Sequence, residues 1–145
     1  MKRVLLISPR QRETYMSTDT PYPFPLLGLT LLASFFPPRY EVRIVNEFLE
    51  EVDFTQAVDL VGITTLTTQA LRTYEIADRF RERGVPVVVG GVHPTFMPEE
   101  AKEHADAVVL GEGELIMPQL IDDFEREELK PFYRGERLHD LHDLT

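Results

Sequence analysis

Hydroxyl side chains and glycines follow three of the apolar runs in this sequence. They form three groups: Thr64, Thr65 and Thr68; Gly90, Gly91, His93 and Thr95; and Gly111, Glu112 and Gly113. Glycine lets a ligand approach the backbone closely, and threonine supplies a small donor and acceptor. These residue types therefore indicate a site for a bulky, partly polar ligand that is uncharged or anionic.

Each group also has an explanation that involves no ligand. Thr67 or Thr68 could cap a following helix, and the glycine pair could form a tight turn. Residues 111–114 could be a turn whose acidic side chains favour a helix N-terminus. His93 stands alone, which is more typical of a hydrogen-bonded loop residue than of a metal ligand. Both kinds of explanation stay open on the sequence.

Catalytic chemistry finds no support in the sequence. The chain has no cysteine, which excludes disulfides, zinc thiolate sites, cysteine-ligated iron–sulfur clusters and thiol nucleophiles. No set of serine, histidine and aspartate can be assembled into a nucleophilic site. The dinucleotide fingerprint fails because the third glycine after Gly111 and Gly113 is missing. We therefore expect a domain that holds a ligand, with no catalytic residue and no metal ligand of its own.

The hydrophobic pattern predicts the elements that would position these residues. Apolar runs rich in Val, Ile and Leu predict five buried strands at residues 3–8, 41–46, 59–64, 85–90 and 107–111. Helical spacing and composition predict helices at residues 25–36, 68–83, 98–104 and 114–128. The segment 47–58 is compatible with a short helix or with an irregular crossover.

Alternating strands and helices predict a doubly wound α/β domain. The sheet is expected to be parallel and five-stranded, in the flavodoxin-like (Rossmann-like) order 2-1-3-4-5, with helices on both faces and therefore three layers. Ligands bind outside the carboxyl ends of such strands, so this order brings the three groups together. A long polar loop, residues 11–24, follows the first strand at the same edge, and loops of that length are often functional.

Composition and charge narrow the classes of partner. The 145 residues are 43% hydrophobic and carry a formal net charge of −10, which argues against nucleic acid and anionic membrane surfaces. The apolar run at the N-terminus is too short for a signal peptide or a membrane span, so we expect a cytoplasmic protein. Apolar density drops after residue 128, which predicts a domain over residues 1–128 and a tail or linker over 129–145.

Motifs at the predicted strand edges follow the order of a known family. They are P-L-L-G-L at 25–29, D-L-V-G-I-T at 59–64, G-G-V-H-P-T at 90–95 with P-E-E at 98–100, and G-E-G-E at 111–114. Together they resemble the N-terminal cobalamin (vitamin B12)-binding domain of the cobalamin-dependent radical SAM enzymes, over nearly the whole chain. Enzymes of that family catalyse methyl transfer or ring formation, including the anaerobic Mg-protoporphyrin monomethyl ester cyclase type.

The resemblance implies cobalamin as the ligand and a role for each group. The nucleotide tail would lie between the third, fourth and fifth strands, where it meets the threonine hydroxyls and the backbone of the glycine pair. Residues 111–113 would flank the benzimidazole or the ribose, and His93 and Thr95 would belong to the same site. The corrin ring would lie above the strand ends, against the loop 9–24. A branched side chain at Gly91 is then expected to block the tail.

Two departures from related patterns bear on the chemistry. No histidine precedes His93, so we expect no axial cobalt ligand from the loop after the first strand. The three-cysteine cluster motif is absent, so S-adenosylmethionine and a 4Fe-4S cluster would bind a C-terminal radical SAM domain of a larger parent, towards which the tail leads. Two alternatives remain: an interaction module that keeps the fold and has lost cobalamin, and a small nucleotide-binding enzyme.

Overall fold

A computed structural model describes the protein at residues 2–10, 24–111 and 113–135, with the backbone alone at residues 24–28. The strands are β1 (Lys2–Ser8), β2 (Tyr40–Asn46), β3 (Leu60–Thr64), β4 (Val87–Gly90), β5 (Ala107–Gly111) and β6 (Phe132–Gly135). The α-helices are α1 (Phe24–Ala33), α2 (Ala70–Glu82), α3 (Val92–Phe96), α4 (Pro98–Lys102) and α5 (Met117–Glu125). Short 3₁₀ turns, Thr67–Gln69 and Gly113–Leu115, precede α2 and α5.

The strands form one parallel sheet in the order β2-β1-β3-β4-β5-β6. The doubly wound α/β class and the predicted order of the first five strands are confirmed. The sequence does not predict β6, which lies within the segment 129–145 and pairs with β5 up to Gly111↔Gly135. Of its four residues only Tyr133 is buried, so this edge strand lacks the apolar run by which the others are recognised.

Alternation of side chains along the strands divides the core in two. We call the side of the sheet covered by α2 and α4 the α2 face, and the side covered by α1 and α5 the α5 face. Buried side chains on the α2 face include Leu5, Ile7, Val61, Ile63, Val87, Val89, Ile76 and Phe80. Those on the α5 face include Val4, Leu6, Leu60, Val88, Val109, Leu29, Met117 and Leu120.

The predicted helices are present with altered ends. α1 stops at Ala33, and residues 34–36 continue as turns in which each amide bonds the carbonyl three residues earlier. α2 begins at Ala70 with Gln69 at its N-cap position, so neither Thr67 nor Thr68 caps it, because the 3₁₀ turn comes first. The segment 47–58 contains neither helix nor strand and is an irregular crossover.

The helix α3 is the element of the carboxyl edge that the sequence does not predict. It places His93 in a single helical turn directly after β4, where a loop was expected. Proline at its third position fits the first turn of a helix, since that amide would have no helical partner. No described helix combines the length and apolar composition that crossing a bilayer requires.

Candidate functional site

A cavity of about 340 Å³ opens at the carboxyl edge of the sheet on the α5 face. Strands β1, β3, β4 and β5 form its floor, and α1, α5 and the turn before α5 form its walls. Its lining includes five of the residues singled out in the sequence: Thr64, Gly90, Gly91, Gly111 and Gly113. The sheet order therefore brings all three sequence groups to one opening.

Glycines account for much of the space in the cavity. Gly62 and Gly90 occupy positions of β3 and β4 whose side chains would point at the helices. A Cβ atom at Gly62 would lie 2.9 Å from Leu6 Cδ2, and one at Gly90 would lie 3.3 Å from Val109 Cβ. A Cβ atom at Gly113 would lie 3.3 Å from Leu32 Cδ2. Side chains at these positions would fill the cavity, so their absence keeps it open.

The cavity is polar at its mouth and apolar at its inner end. Thr64 ends β3, and Glu114 lies in the 3₁₀ turn before α5; these are the charged or hydroxyl-bearing side chains of the described lining. The inner end is lined by Leu6, Phe36, Leu60, Val88 and Leu120. Such a gradient suits a ligand segment with an apolar end and a polar stem.

The close approach of two strand ends explains Gly91. This residue has φ +109°, and a Cβ atom there would lie 2.7 Å from the Thr65 carbonyl oxygen and 2.8 Å from the Thr65 nitrogen. The amide of Thr65 donates to the Gly90 carbonyl (2.8 Å), and the amide of His93 donates to the Thr65 carbonyl (3.1 Å). The glycine is thus required by the protein's own backbone. A substitution there strains the fold whether or not a ligand is bound.

Thr95 links the ends of β4 and β5. Its hydroxyl donates to the Gly91 carbonyl (2.8 Å) and accepts from the Gly111 amide (3.0 Å). Gly111 has φ +79°, and a Cβ atom there would lie 2.5 Å from the Gly135 carbonyl oxygen. The pairing with β6 therefore explains this glycine. Neither Thr95 nor His93 belongs to the cavity lining, and their contact with a ligand stays a prediction.

The three threonines point to different surroundings. Thr64 lines the cavity. Thr65 is fully buried, and its hydroxyl lies 3.0 Å from that of Thr73 on α2, on the other face of the sheet. Thr68 lies exposed in the 3₁₀ turn before α2. Glu112 and most of the loop expected to cover the corrin ring lie outside the described residues.

His93 belongs to a hydrogen-bonded cluster on the α2 face. The side chain is 11% exposed, and its Nε2 lies 2.8 Å from Glu100 Oε1. Tyr74 donates its hydroxyl to the same oxygen (2.7 Å) and stacks on the ring of His104. The bond with His93 and then the bond from Tyr74 hold the pKa of Glu100 below its usual range. His93 is thus a hydrogen-bonded residue, as one of the two explanations expected, but it lies in a helix and not in a loop.

A buried ion pair at the carboxyl edge is a further feature that the sequence does not predict. Glu47 follows β2 with a side chain that is 3% exposed, and both its oxygens accept bonds from Arg72 on α2, the shortest at 2.5 Å. Glu47 also accepts from the Arg10 amide (3.1 Å), and Gln69 donates to the Pro9 carbonyl (2.7 Å). These contacts hold the start of the loop after β1. Glu47 and Arg72 are 25 positions apart in the sequence, and the order of the strands brings them together.

Comparisons with known proteins identify the family of the chain. The sequence profile of the B12 binding domain matches residues 16–121. Bacteriochlorophyllide d C-8(2)-methyltransferase of Chlorobaculum tepidum is 44% identical over 108 residues, which cover 74% of this chain and 24% of that protein. Bacteriochlorophyllide d C-12(1)-methyltransferase of the same organism is 31% identical over 147 residues, covering 99% of this chain and 32% of that protein.

Two further similarities complete the comparison. An uncharacterised methyltransferase of Pyrococcus horikoshii is 33% identical over 144 residues, covering 90% of this chain and 31% of that protein. The solved N-terminal domain of a hypothetical protein of Thermotoga maritima shares 21% identity at a TM-score of 0.49, covering 85% of this chain and 98% of that one. The chain thus spans about a quarter to a third of the curated relatives it matches. It belongs to the B12-binding domain family.

Proposed function

We propose that this chain binds cobalamin with its nucleotide tail in the cavity on the α5 face and no histidine from the loop after β1 on the cobalt. The observation that carries the proposal is the cavity itself. Gly62, Gly90 and Gly113 leave room that a Cβ atom would take away, in a domain of the B12-binding family.

The size and polarity of the cavity fit a nucleotide tail. Its volume of about 340 Å³ is at the lower end of the range of ligand pockets, roughly 300–1,000 Å³, and the whole of cobalamin is far larger. One end of the ligand would therefore enter. A dimethylbenzimidazole suits the apolar inner end, while Thr64 and Glu114 at the mouth would accept hydrogen bonds from ribose hydroxyls.

The surface beyond the mouth suits a flat, largely apolar ring. Leu66, Val92 and Leu115 follow β3, β4 and β5 and are 44%, 49% and 46% exposed. Neighbouring parallel strands end at one edge, so these side chains lie where a corrin would rest above the tail. When bound, cobalamin supplies cobalt-centred methyl-transfer chemistry. This chain's residues would bind the tail, seat the ring and exclude water from the cavity.

We further propose that a larger parent contains a radical SAM domain which holds S-adenosylmethionine and the 4Fe-4S cluster. The support is that the curated relatives are named methyltransferases and are about three to four times as long as the matched region. On this proposal, the segment 129–145 leads towards that domain and adds β6 to the sheet on its way. Methyl transfer is favoured over ring formation by the names of these relatives.

The proposal is tested by equilibrium titration of the folded chain with hydroxocobalamin, methylcobalamin and cobinamide, which has the corrin and lacks the nucleotide tail. We expect saturable binding of both cobalamins, a spectral change that reports release of the lower base from cobalt, and weaker binding of cobinamide. Absence of saturable binding of all three at sub-millimolar ligand, with circular dichroism showing a folded chain, would overturn it.

An interaction module that keeps the fold is the second candidate. The observation in its favour is Phe96 on α3, which is 77% exposed close to Val92 and Met97. A protein surface docked at this edge would cover these side chains and leave the cavity empty. Under this alternative, cobalamins would not bind, and Thr64→Val would change no ligand affinity.

A further inference from the structure

The described side chains at the inner end of the cavity offer no strong hydrogen-bond partner to a polar base. Among its described lining residues, the hydroxyl and carboxylate of Thr64 and Glu114 stand at the mouth. Strand positions deeper in the floor are paired with neighbouring strands, as Leu6 with Gly62 and Gly62 with Val88, so their backbone groups are engaged in the sheet. Met117 contributes a thioether, which is a weak acceptor.

The helix α1 forms a further part of the wall. The backbone of residues 24–28 belongs to α1, and their sequence, F-P-L-L-G, contains no polar side chain. Among the described lining residues, the hydroxyl and carboxylate side chains stand at the mouth, where the stem of a ligand would lie.

Corrinoids of the cobalamin type differ in the base that ends the nucleotide tail. This base is a benzimidazole, a purine such as adenine, or a phenol such as p-cresol. Adenine carries an exocyclic amine and additional ring nitrogens, which water satisfies in solution. Burying them without partners costs free energy that an apolar base does not lose.

We infer that this cavity selects corrinoids whose lower base is apolar, benzimidazolyl or phenolyl, over those with a purine base. The inference rests on the proposed function, because it requires the tail to enter the cavity. It adds a specificity that the shape of the site alone does not supply. Leu60 and Val88 at the inner end are the specificity-determining side chains, since they stand where a base would need polar partners.

The central experiment compares adeninylcobamide with p-cresolylcobamide by equilibrium titration of the unmodified chain. Adenine is released readily from cobalt, and p-cresol does not coordinate cobalt at all. The cost of releasing the base from cobalt therefore adds little to the difference in affinity between the two ligands. We expect the adeninyl form to bind about tenfold more weakly, the size expected for a buried group left unsatisfied. Equal affinities, or a preference for adenine, would overturn the inference.

Cobinamide and cobalamin, titrated in parallel, separate two kinds of failure. If every corrinoid with a tail binds no better than cobinamide, the tail does not enter the cavity, and the selectivity inference falls while corrin binding stands. If cobinamide and all tailed forms fail to bind, the proposed function falls as well. Cobalamin is expected to bind at least as tightly as the adeninyl form.

A pair of isosteric variants tests which face of the sheet sets the selectivity. Val88→Thr places a hydroxyl in the cavity, whereas Val89→Thr places the same hydroxyl on the α2 face. We expect Val88→Thr to reduce the discrimination between adeninyl and p-cresolyl forms several-fold, and Val89→Thr to leave the ratio unchanged. Met117→Gln is the second cavity variant if Val88→Thr does not fold. A ratio unchanged in the folded cavity variants would overturn the inference.

Discussion

The two faces of the sheet use alternate residues of the same strands for different purposes. On the α2 face, Ile63 and Val89 are 3% and 0% exposed beneath a helix that fills the space above them. On the α5 face, the neighbouring positions are Gly62 and Gly90, and the space above them is a cavity. One face is closely packed, and glycines on the other leave a cavity.

Polar groups at the carboxyl edge of the sheet are divided between the faces in the same way. The α2 face and its edge carry the Thr65–Thr73 pair, the His93–Glu100–Tyr74 cluster and the Glu47–Arg72 ion pair. Each of these contacts joins side chains of the domain to one another. The α5 face has such contacts too, as between Tyr133 and Asp123, but at the carboxyl edge it presents Thr64 and Glu114 at an opening. Substitutions should therefore separate into those that lower stability and those that lower ligand affinity.

The largest effect is expected at Gly91, where both faces meet. Gly91→Ala combines a φ of +109° with a Cβ atom 2.7 Å from the Thr65 carbonyl oxygen, and should cost about 4 kcal/mol of unfolding free energy from strain and overpacking together. Gly84→Ala is the matched control, because Gly84 has φ +80° and nothing within 4 Å of its Cβ position. Urea denaturation measures both. Similar losses would show that the contact with Thr65 does not matter.

Filling the cavity should damage binding more than folding. Gly62→Val puts a branched side chain into the cavity, and the atom it meets first is the terminal Cδ2 of Leu6, which a rotation of that side chain can move away. We expect cobalamin affinity to fall about a hundredfold, an overpacking cost of about 3 kcal/mol, with a far smaller change for cobinamide. Val61→Ile, which adds volume to the α2 face, should leave affinity unchanged. An equal loss for both ligands would contradict the tail placement.

Breaking the buried ion pair should lower stability by an intermediate amount. Glu47→Gln leaves Arg72, whose side chain is 15% exposed, without its buried counter-charge and with the more exposed Glu75, at 3.6 Å, as its remaining acidic partner among the described residues. The expected cost is about 2 kcal/mol, below the value for a fully buried pair because Arg72 retains some water contact. Glu50→Gln, in the exposed pair with Arg43, should cost less than about 0.5 kcal/mol. Chemical denaturation of both variants checks the difference.

Two adjacent threonines offer the sharpest contrast between the faces. Thr65→Val leaves the Thr73 hydroxyl without its partner, so stability should fall by about 1–2 kcal/mol while cobalamin affinity stays unchanged. Thr64→Val should do the reverse, with a several-fold loss of affinity and little loss of stability. Thermal unfolding and titration of both variants give the result. Loss of affinity in Thr65→Val would show that the faces are coupled.

The smallest effect is expected in the dependence of stability on acid. Hydrogen bonds with His93 and Tyr74 keep the pKa of folded Glu100 below its ordinary value of 4.5. Glu100 therefore adds stability above that value, and this stability is lost as the pH falls through the folded pKa. Glu100→Gln should flatten the fall of unfolding free energy with acidification, relative to Glu99→Gln. An unchanged slope would show that the cluster contributes nothing.

Sequence reasoning succeeded where the signal is local. The apolar runs predict the central strands because those strands are buried on both faces, and alternation with helices predicts their parallel order. It missed β6, whose pairing depends on Gly111 and Gly135 coming together across the sheet. It also missed α3, a single turn with no periodicity to detect.

The sequence predicts that the candidate site lies at the carboxyl edge of the sheet, but it does not predict which residues face the cavity. Thr64 and Thr65 look equivalent in the sequence, but strand alternation sends one to the cavity and the other to Thr73. Gly62 lines the cavity and leaves space in it, yet nothing in the sequence D-L-V-G-I-T distinguishes it from the other residues of the strand. The Glu47–Arg72 pair spans 25 positions of sequence and is created by the order of the strands.

The hydroxyl of Thr95 connects the outermost described strand, β6, to the rim of the cavity through β5. Gly135 is paired with Gly111, the Gly111 amide is held by Thr95, and Thr95 holds the Gly91 carbonyl at the rim of the cavity. These links lie in series, so tension applied to the chain at Gly135 would be carried directly to the rim. A displacement of β6 would therefore be transmitted to the mouth of the cavity, and a displacement of the mouth would be transmitted to β6.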